Sequence, residues 1–174
     1  MRTCVDRWKI AVAAALALAL ATLWGCGEPT SDELFASVQA QARRAAADTA
    51  AWQGAVDVAE QFLAANAAHA KAPEALKTLA MLVQQRGDMA GAIARYERLL
   101  SDYPESEAAD EAQFMIGFIC EEHLGEYERA RQAYRLVVER YPDSELAENA
   151  RRLLPNVGRP PEEWVQFEDG ADAQ

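Results

Sequence analysis

Histidine, cysteine and positive charge are scarce in this chain. It has two histidines, three cysteines and seven prolines, and 17 basic against 28 acidic residues, for a net charge of −11. His69 stands in an alanine-rich turn with no acid or thiol at ligand spacing, and His123 adjoins Glu121 and Glu122, which as immediate neighbours do not share its helix face. There is no HExxH, CxxC, glycine-rich phosphate loop or nucleophile elbow. These absences remove the residue sets of metal and nucleophilic catalysis, so no enzyme, metal or cofactor is expected. The acidic balance disfavours nucleic acid and anionic lipid surfaces. Pairs such as Glu121-Glu122 and Glu162-Glu163 read as solvated charge. Long apolar runs are also missing. The longest, Ile10 to Trp24, has 15 residues, short of the roughly 20 that a membrane-spanning helix needs. It suits the core of a signal peptide, roughly 7–15 residues behind a positive leader, here Arg2, Arg7 and Lys9.

That run ends at Leu23-Trp24-Gly25-Cys26, which resembles the lipobox of bacterial lipoproteins. The resemblance implies a signal peptide over 1–25, cleavage before Cys26, and a covalent lipid, palmitate included, on the Cys26 sulfur. Trp24 departs from the small residue usual at its position. The other readings are an uncleaved anchor and simple secretion to the periplasm. Gly27 in place of Asp implies sorting to the periplasmic face of the outer membrane rather than retention at the inner membrane. Residues 26–30 would then be the lipidated cysteine and a short tether. Cys4 would leave with the leader and Cys26 would carry lipid. Cys120 alone would remain, so no intramolecular disulfide is expected. Its setting among Met115, Ile116 and Ile119 makes it a core residue.

The body of the chain repeats itself. Gly87, Ala92, Tyr96 and Tyr103-Pro104 recur 38 residues later as Gly125, Ala130, Tyr134 and Tyr141-Pro142. A fixed period in this range marks a repeat architecture whose units bury their apolar faces only against one another. The periodicity predicts helices over about 31–48, 51–65, 73–86, 89–102, 107–123, 126–140 and 144–154. Pro73 opens one helix, Gly87 and Gly125 separate hairpin arms, and Tyr-Pro ends each hairpin. The inward stripes are Leu76, Leu79, Ala80 and Val83; Ala92, Ile93, Tyr96, Leu99 and Leu100; and Tyr127, Ala130, Tyr134 and Val137. Ala80 maps to Gly117 at a spacing of 37, whereas Gly87 maps to Gly125 at 38. One extra residue therefore lies between Gly117 and Gly125, as a bulge or a longer turn. Residues 31–72 form N-terminal helices with a degenerate repeat, 73–154 two clear repeats and a capping helix, and 155–174 an acidic, disordered tail. Trp164 and Phe167 in that tail are a candidate docking motif.

The pattern of Leu76, Leu79, Ala80, Gly87, Ala92, Tyr96 and Pro104, repeated by Gly117, Gly125, Tyr127, Ala130, Tyr134 and Pro142, resembles the tetratricopeptide repeat. The implied fold is all-α, antiparallel hairpins stacked as a short solenoid. The twice-occurring Pro-x-Ser-x-x-Ala-x-x-Ala, from Pro104 and from Pro142, is similar to outer-membrane assembly lipoproteins of the BamD type and to the periplasmic Tol-Pal coordinator. In such arrays the first helix of each hairpin lines a groove. The resemblance places Lys77, Met81 and Gln84 on it, and at 37 residues' spacing Phe114, Phe118 and Glu121. Phe114 and Phe118 either form an apolar pocket there or pack against the neighbouring hairpin. The expected function is a lipid-anchored scaffold that binds envelope proteins or peptides, with a pilotin-like escort or a self-associating envelope linker as rivals.

Overall fold

The computed structural model describes residues 29–160 and residue 163. Seven α-helices account for most of them: α1 Ser31–Ala47, α2 Trp52–Ala65, α3 Ala72–Gln85, α4 Met89–Asp102, α5 Ala109–Ile119, α6 Tyr127–Arg140 and α7 Glu145–Leu153. The expected signal peptide over 1–25, Cys26 and the candidate docking motif at Trp164 and Phe167 lie outside the described residues.

Local chemistry fixes where these helices start and stop. Asp88 caps α4, its Oδ1 accepting the Gly91 amide at 2.8 Å, and Ser144 caps α7, its Oγ accepting the Leu146 amide at 3.1 Å. Each leaves one fewer unpaired N–H in a first helical turn. Pro73 sits in the first turn of α3, where no amide hydrogen is needed. Gly87 and Gly125, at φ 84° and 66°, provide the left-handed turns after α3 and α5. The expected starts at Glu107 and Glu126 move to Ala109 and Tyr127.

Helices pair as hairpins, α1 with α2, α3 with α4 and α5 with α6, and each hairpin packs on the next through α2–α3, α4–α5 and α6–α7. The contact surfaces are built from small residues. Ala55, Ala59, Ala72, Ala75, Ala80, Ala92, Ala109, Ala112 and Ala130 are completely buried. Their size lets backbones approach, and Phe62, Leu76, Tyr96, Leu99, Ile119 and Tyr134 fill the space between. Polar links cross between neighbouring first helices near the repeat period. Gln39 donates to Glu74 at 3.0 Å, Lys77 to Glu111 at 2.8 Å, and Ser144 to Asp110.

Two expectations change. Tyr127 is not inward. It is 44% exposed, because it occupies the first turn of α6, before the helix reaches the core. The folded chain also runs past 155. A short 3₁₀ turn at Leu154–Asn156 brings back Val157, which is 2% exposed and whose carbonyl accepts from Arg131 at 2.8 Å. Residues 155–158 are therefore part of the folded body and not of a tail.

The extra residue between Gly117 and Gly125 is a π-turn at Cys120–Leu124. After α3, the Asp88 amide donates to the Val83 carbonyl at 3.3 Å, while after α5 the Glu126 amide donates to the Cys120 carbonyl at 2.8 Å. Val83 and Cys120 are equivalent, as are Asp88 and Glu126. The turn keeps its closing hydrogen bond and absorbs the insertion by widening, as single-turn π-bulges do.

Candidate protein-interaction face

The first helices of the hairpins carry five of the six groove residues expected from the sequence, and Glu121 falls in the π-turn directly after α5. On α3, Met81 is 43% exposed, while Lys77 and Gln84 are half-buried. Phe114 and Phe118 on α5 and Glu121 in the π-turn that follows it are all half-buried. The two helices are joined at the Lys77–Glu111 ion pair, 2.8 Å. Glu111 was not singled out from the sequence. It lies one turn before Phe114, so its i, i+3 spacing was the signal.

The α5 residues differ in what holds them. The Phe114 ring tilts at 50° on Tyr134, centroids 5.3 Å apart, so it props the buried tyrosine. Phe118 meets His123 edge-on at 5.9 Å, and no described ring of the core holds it. Glu121 is tied on both oxygens. Oε2 accepts from the Tyr134 hydroxyl and Oε1 from the Gly158 amide, each at 3.1 Å. The carboxylate thus joins α5, α6 and the chain that follows α7. Beyond it stand Leu124, 40% exposed, and Tyr127, neither of which the groove pattern had included.

Burial favours the neutral forms of one phenol and one thiol in this region. Burial, and then the nearby Glu121 carboxylate, push the Tyr134 phenol well above its ordinary range. Burial also raises the Cys120 thiol, against the opposing pull of Arg129, so the sulfur is not a thiolate nucleophile. His69, isolated in sequence, meets Asp32 at 3.5 Å in space. Among the described residues no three His, Cys, Asp or Glu side chains converge to hold a metal ion. None of the described helices is long and apolar enough to cross a membrane.

The opposite side of the hairpins carries two clefts at equivalent places. One, of about 390 Å³, is bordered by Glu60, Leu63, Leu79 and Arg95, and the other, of about 270 Å³, by Glu97, Leu100, Ile116 and Arg129. An acid–arginine pair spans each, Glu60–Arg95 at 3.5 Å and Glu97–Arg129 at 2.9 Å. Gln113 borders the second cleft at 4% exposure, where the preceding repeat has Leu76.

With this geometry the class is defined: an all-α protein whose helical hairpins present one continuous face of first helices. Residues 39–106 and 111–144 match the tetratricopeptide repeat, together more than half of the chain, and the chain belongs to that family. The match begins inside α1, so it takes in the hairpin whose repeat signature is degenerate in sequence. A search of curated proteins finds no match. Tetratricopeptide repeats mediate protein–protein interaction and are typically scaffolds rather than enzymes.

Proposed function

We propose that this protein is a lipid-anchored adaptor of a bacterial envelope, holding a partner protein on the face of its first helices. The observation that carries the reading is a juxtaposition in the chain. The lipobox-like Leu23-Trp24-Gly25-Cys26 is followed by a tether of only Gly27 to Thr30 before α1 begins at Ser31. At roughly 3.5 Å per residue, such a tether keeps the repeats close to the bilayer that holds Cys26. Several acyl groups on one cysteine bind firmly where a single chain gives only marginal anchoring. Gly27 favours the outer membrane, and the Pro-x-Ser-x-x-Ala-x-x-Ala repeats favour a role like that of BamD-type assembly lipoproteins. The partner side of the reading rests on Met81, Phe114 and Phe118, apolar and at least partly exposed along α3 and α5. Such a strip accepts an amphipathic helix or an extended apolar segment.

The test is metabolic labelling with palmitate in a host with two membranes, followed by membrane separation. The native chain is expected to carry label and fractionate with the outer membrane, whereas Cys26→Ser carries none and moves to the soluble fraction. An unlabelled native chain, or a Cys26→Ser variant that stays on the membrane, contradicts the anchor.

A further inference from the structure

Among the described residues outside the groove set, the exposed large apolar side chains are Leu124 and Tyr127, at 40% and 44%. They stand at the turn that joins α5 to α6, next to His123, whose ring contacts Phe118. The preceding repeat places Arg86 and Met89 at the matching positions. Arg86 lies over the Trp52 ring at 4.9 Å, and Met89 packs on the core. The apolar patch is thus peculiar to the second repeat.

The chain after α7 is fastened beside this patch. Val157 is buried, and Arg131 holds its carbonyl. The Gly158 amide donates at 3.1 Å to Glu121, three residues after Phe118 in the π-turn that follows α5. Gly158 has φ 79° and lies against Tyr127 so closely that a Cβ there would come within 2.9 Å of the ring. Only glycine fits such a position. The chain therefore leaves the folded body from the edge of the patch. Downstream, Trp164, Val165 and Phe167 are the only large apolar residues of 159–174.

We propose that the patch of Phe118, Leu124 and Tyr127 is the docking site of this chain's own C-terminal segment, with Trp164 and Phe167 seated on it. Reach permits it. At roughly 3.5 Å per residue, Trp164 lies within about 21 Å of Gly158. Phe118 lies three residues before Glu121, which holds the Gly158 amide, so the patch is within a few ångströms of where the chain is fastened. Chemistry favours it too, since aromatic side chains gain from burial against apolar surface and against one another. A segment held this way covers one end of the interaction face, and an incoming partner must displace it. The inference does not depend on the identity of that partner or on the lipid anchor.

The experiment is fluorine NMR of the full chain carrying fluorotryptophan at its four tryptophans, with Trp164→Phe assigning the relevant signal. The expected result is a Trp164 signal displaced from its position in concentrated urea. It should return to that position in Phe118→Ala and in Leu124→Ser. The Trp52 signal, fixed by a hydrogen bond to the Leu82 carbonyl, should stay put and report that the fold is intact. If Phe118→Ala unfolds, Leu124→Ser decides alone, because that position is exposed. The proposal is overturned by a native Trp164 signal at the urea position, or by a displaced signal indifferent to both substitutions. Loss of the displacement on dilution also overturns it, because the occupant is then a second copy.

Discussion

The hairpins α3–α4 and α5–α6 carry the same signature and solve the same packing problem with different atoms. Each buries one tyrosine completely, Tyr96 in the first and Tyr134 in the second. The Tyr96 hydroxyl is buried without a hydrogen-bond partner, whereas the Tyr134 hydroxyl donates to Glu121. Gly117 faces the Tyr134 ring, and the first repeat has Ala80 at the corresponding sequence position. A Cβ at Gly117 would lie 2.6 Å from the Tyr134 ring. The second hairpin is therefore packed more closely around its tyrosine, and it also contains the π-turn. At the place of Leu76 it has Gln113, 4% exposed and with no hydrogen bond to any described residue. The first hairpin is the plainer structural unit. The second gives up core regularity for polar links that reach past α7, and it carries both the phenylalanines and the exposed patch. Local departures from the best core are expected where a repeat does something besides stacking.

Substitutions can break this contrast, starting with the largest effect. Tyr134→Ala and Tyr96→Ala should each lower unfolding free energy by about 3–5 kcal/mol, the cost of emptying a buried aromatic site, as measured by urea denaturation. Similar losses mean that both hairpins belong to one cooperative core. A small loss for either would separate them. Gly117→Ala comes next. In most helices that change stabilises by about 1 kcal/mol, but here the added methyl meets the Tyr134 ring, and a net loss of about 1–3 kcal/mol is expected. A gain would mean that the ring moves aside freely.

Two smaller changes sharpen the contrast by sign rather than size. Gln113→Leu gives the second repeat the leucine of the first. It should raise stability by about 1 kcal/mol, because the residue is only 4% exposed and burying apolar rather than amide surface at the cleft border is favourable; a lower melting temperature would show that the amide is needed. Tyr134→Phe should cost about 1 kcal/mol through loss of the Glu121 bond, while Tyr96→Phe should be neutral or slightly stabilising. Equal effects would remove the distinction between the two hydroxyls.

Alkaline titration tests both tyrosines together. Burial first, then Glu111 at Tyr96 and Glu121 at Tyr134, raise these phenols above their ordinary range. A folded pKa above the unfolded one stabilises fully below the unfolded value, about 10, and that stability is lost as the pH rises through it. Melting temperature should hold up to pH ~10 and then fall. Phenolate absorbance from these two rings should appear only with unfolding. Their ionisation in the folded chain would show that they are reachable by solvent.

Much of this was legible because the repeat is written in turn-formers and small residues. Gly87, Gly125, Tyr103-Pro104 and Tyr141-Pro142 set the helix ends, and α4 runs over Met89–Asp102 as its periodicity predicts. Comparing the 37 and 38 spacings located the inserted residue, but spacing alone could not say that it forms a π-turn. What stayed hidden depends on pairing across many residues. Asp32 with His69, Glu121 with Gly158 and Arg131 with Val157 are invisible to any local pattern. The return of Val157 to the core was missed for another reason: Pro155 ends the helix, and one apolar residue beyond it carries no periodic signal. Tyr127 was placed inward because the signature puts an aromatic there, although the helix starts at that residue.

The most direct test of the account is site-specific photo-crosslinking in the envelope of living cells. A photoreactive residue would replace either Met81, on the face of the first helices, or Ala94, exposed on the second helix of the same hairpin. The account predicts a discrete crosslinked protein from position 81 and none from 94. A crosslink from 94 with none from 81 would contradict it and move the interaction surface to the clefts on the other side.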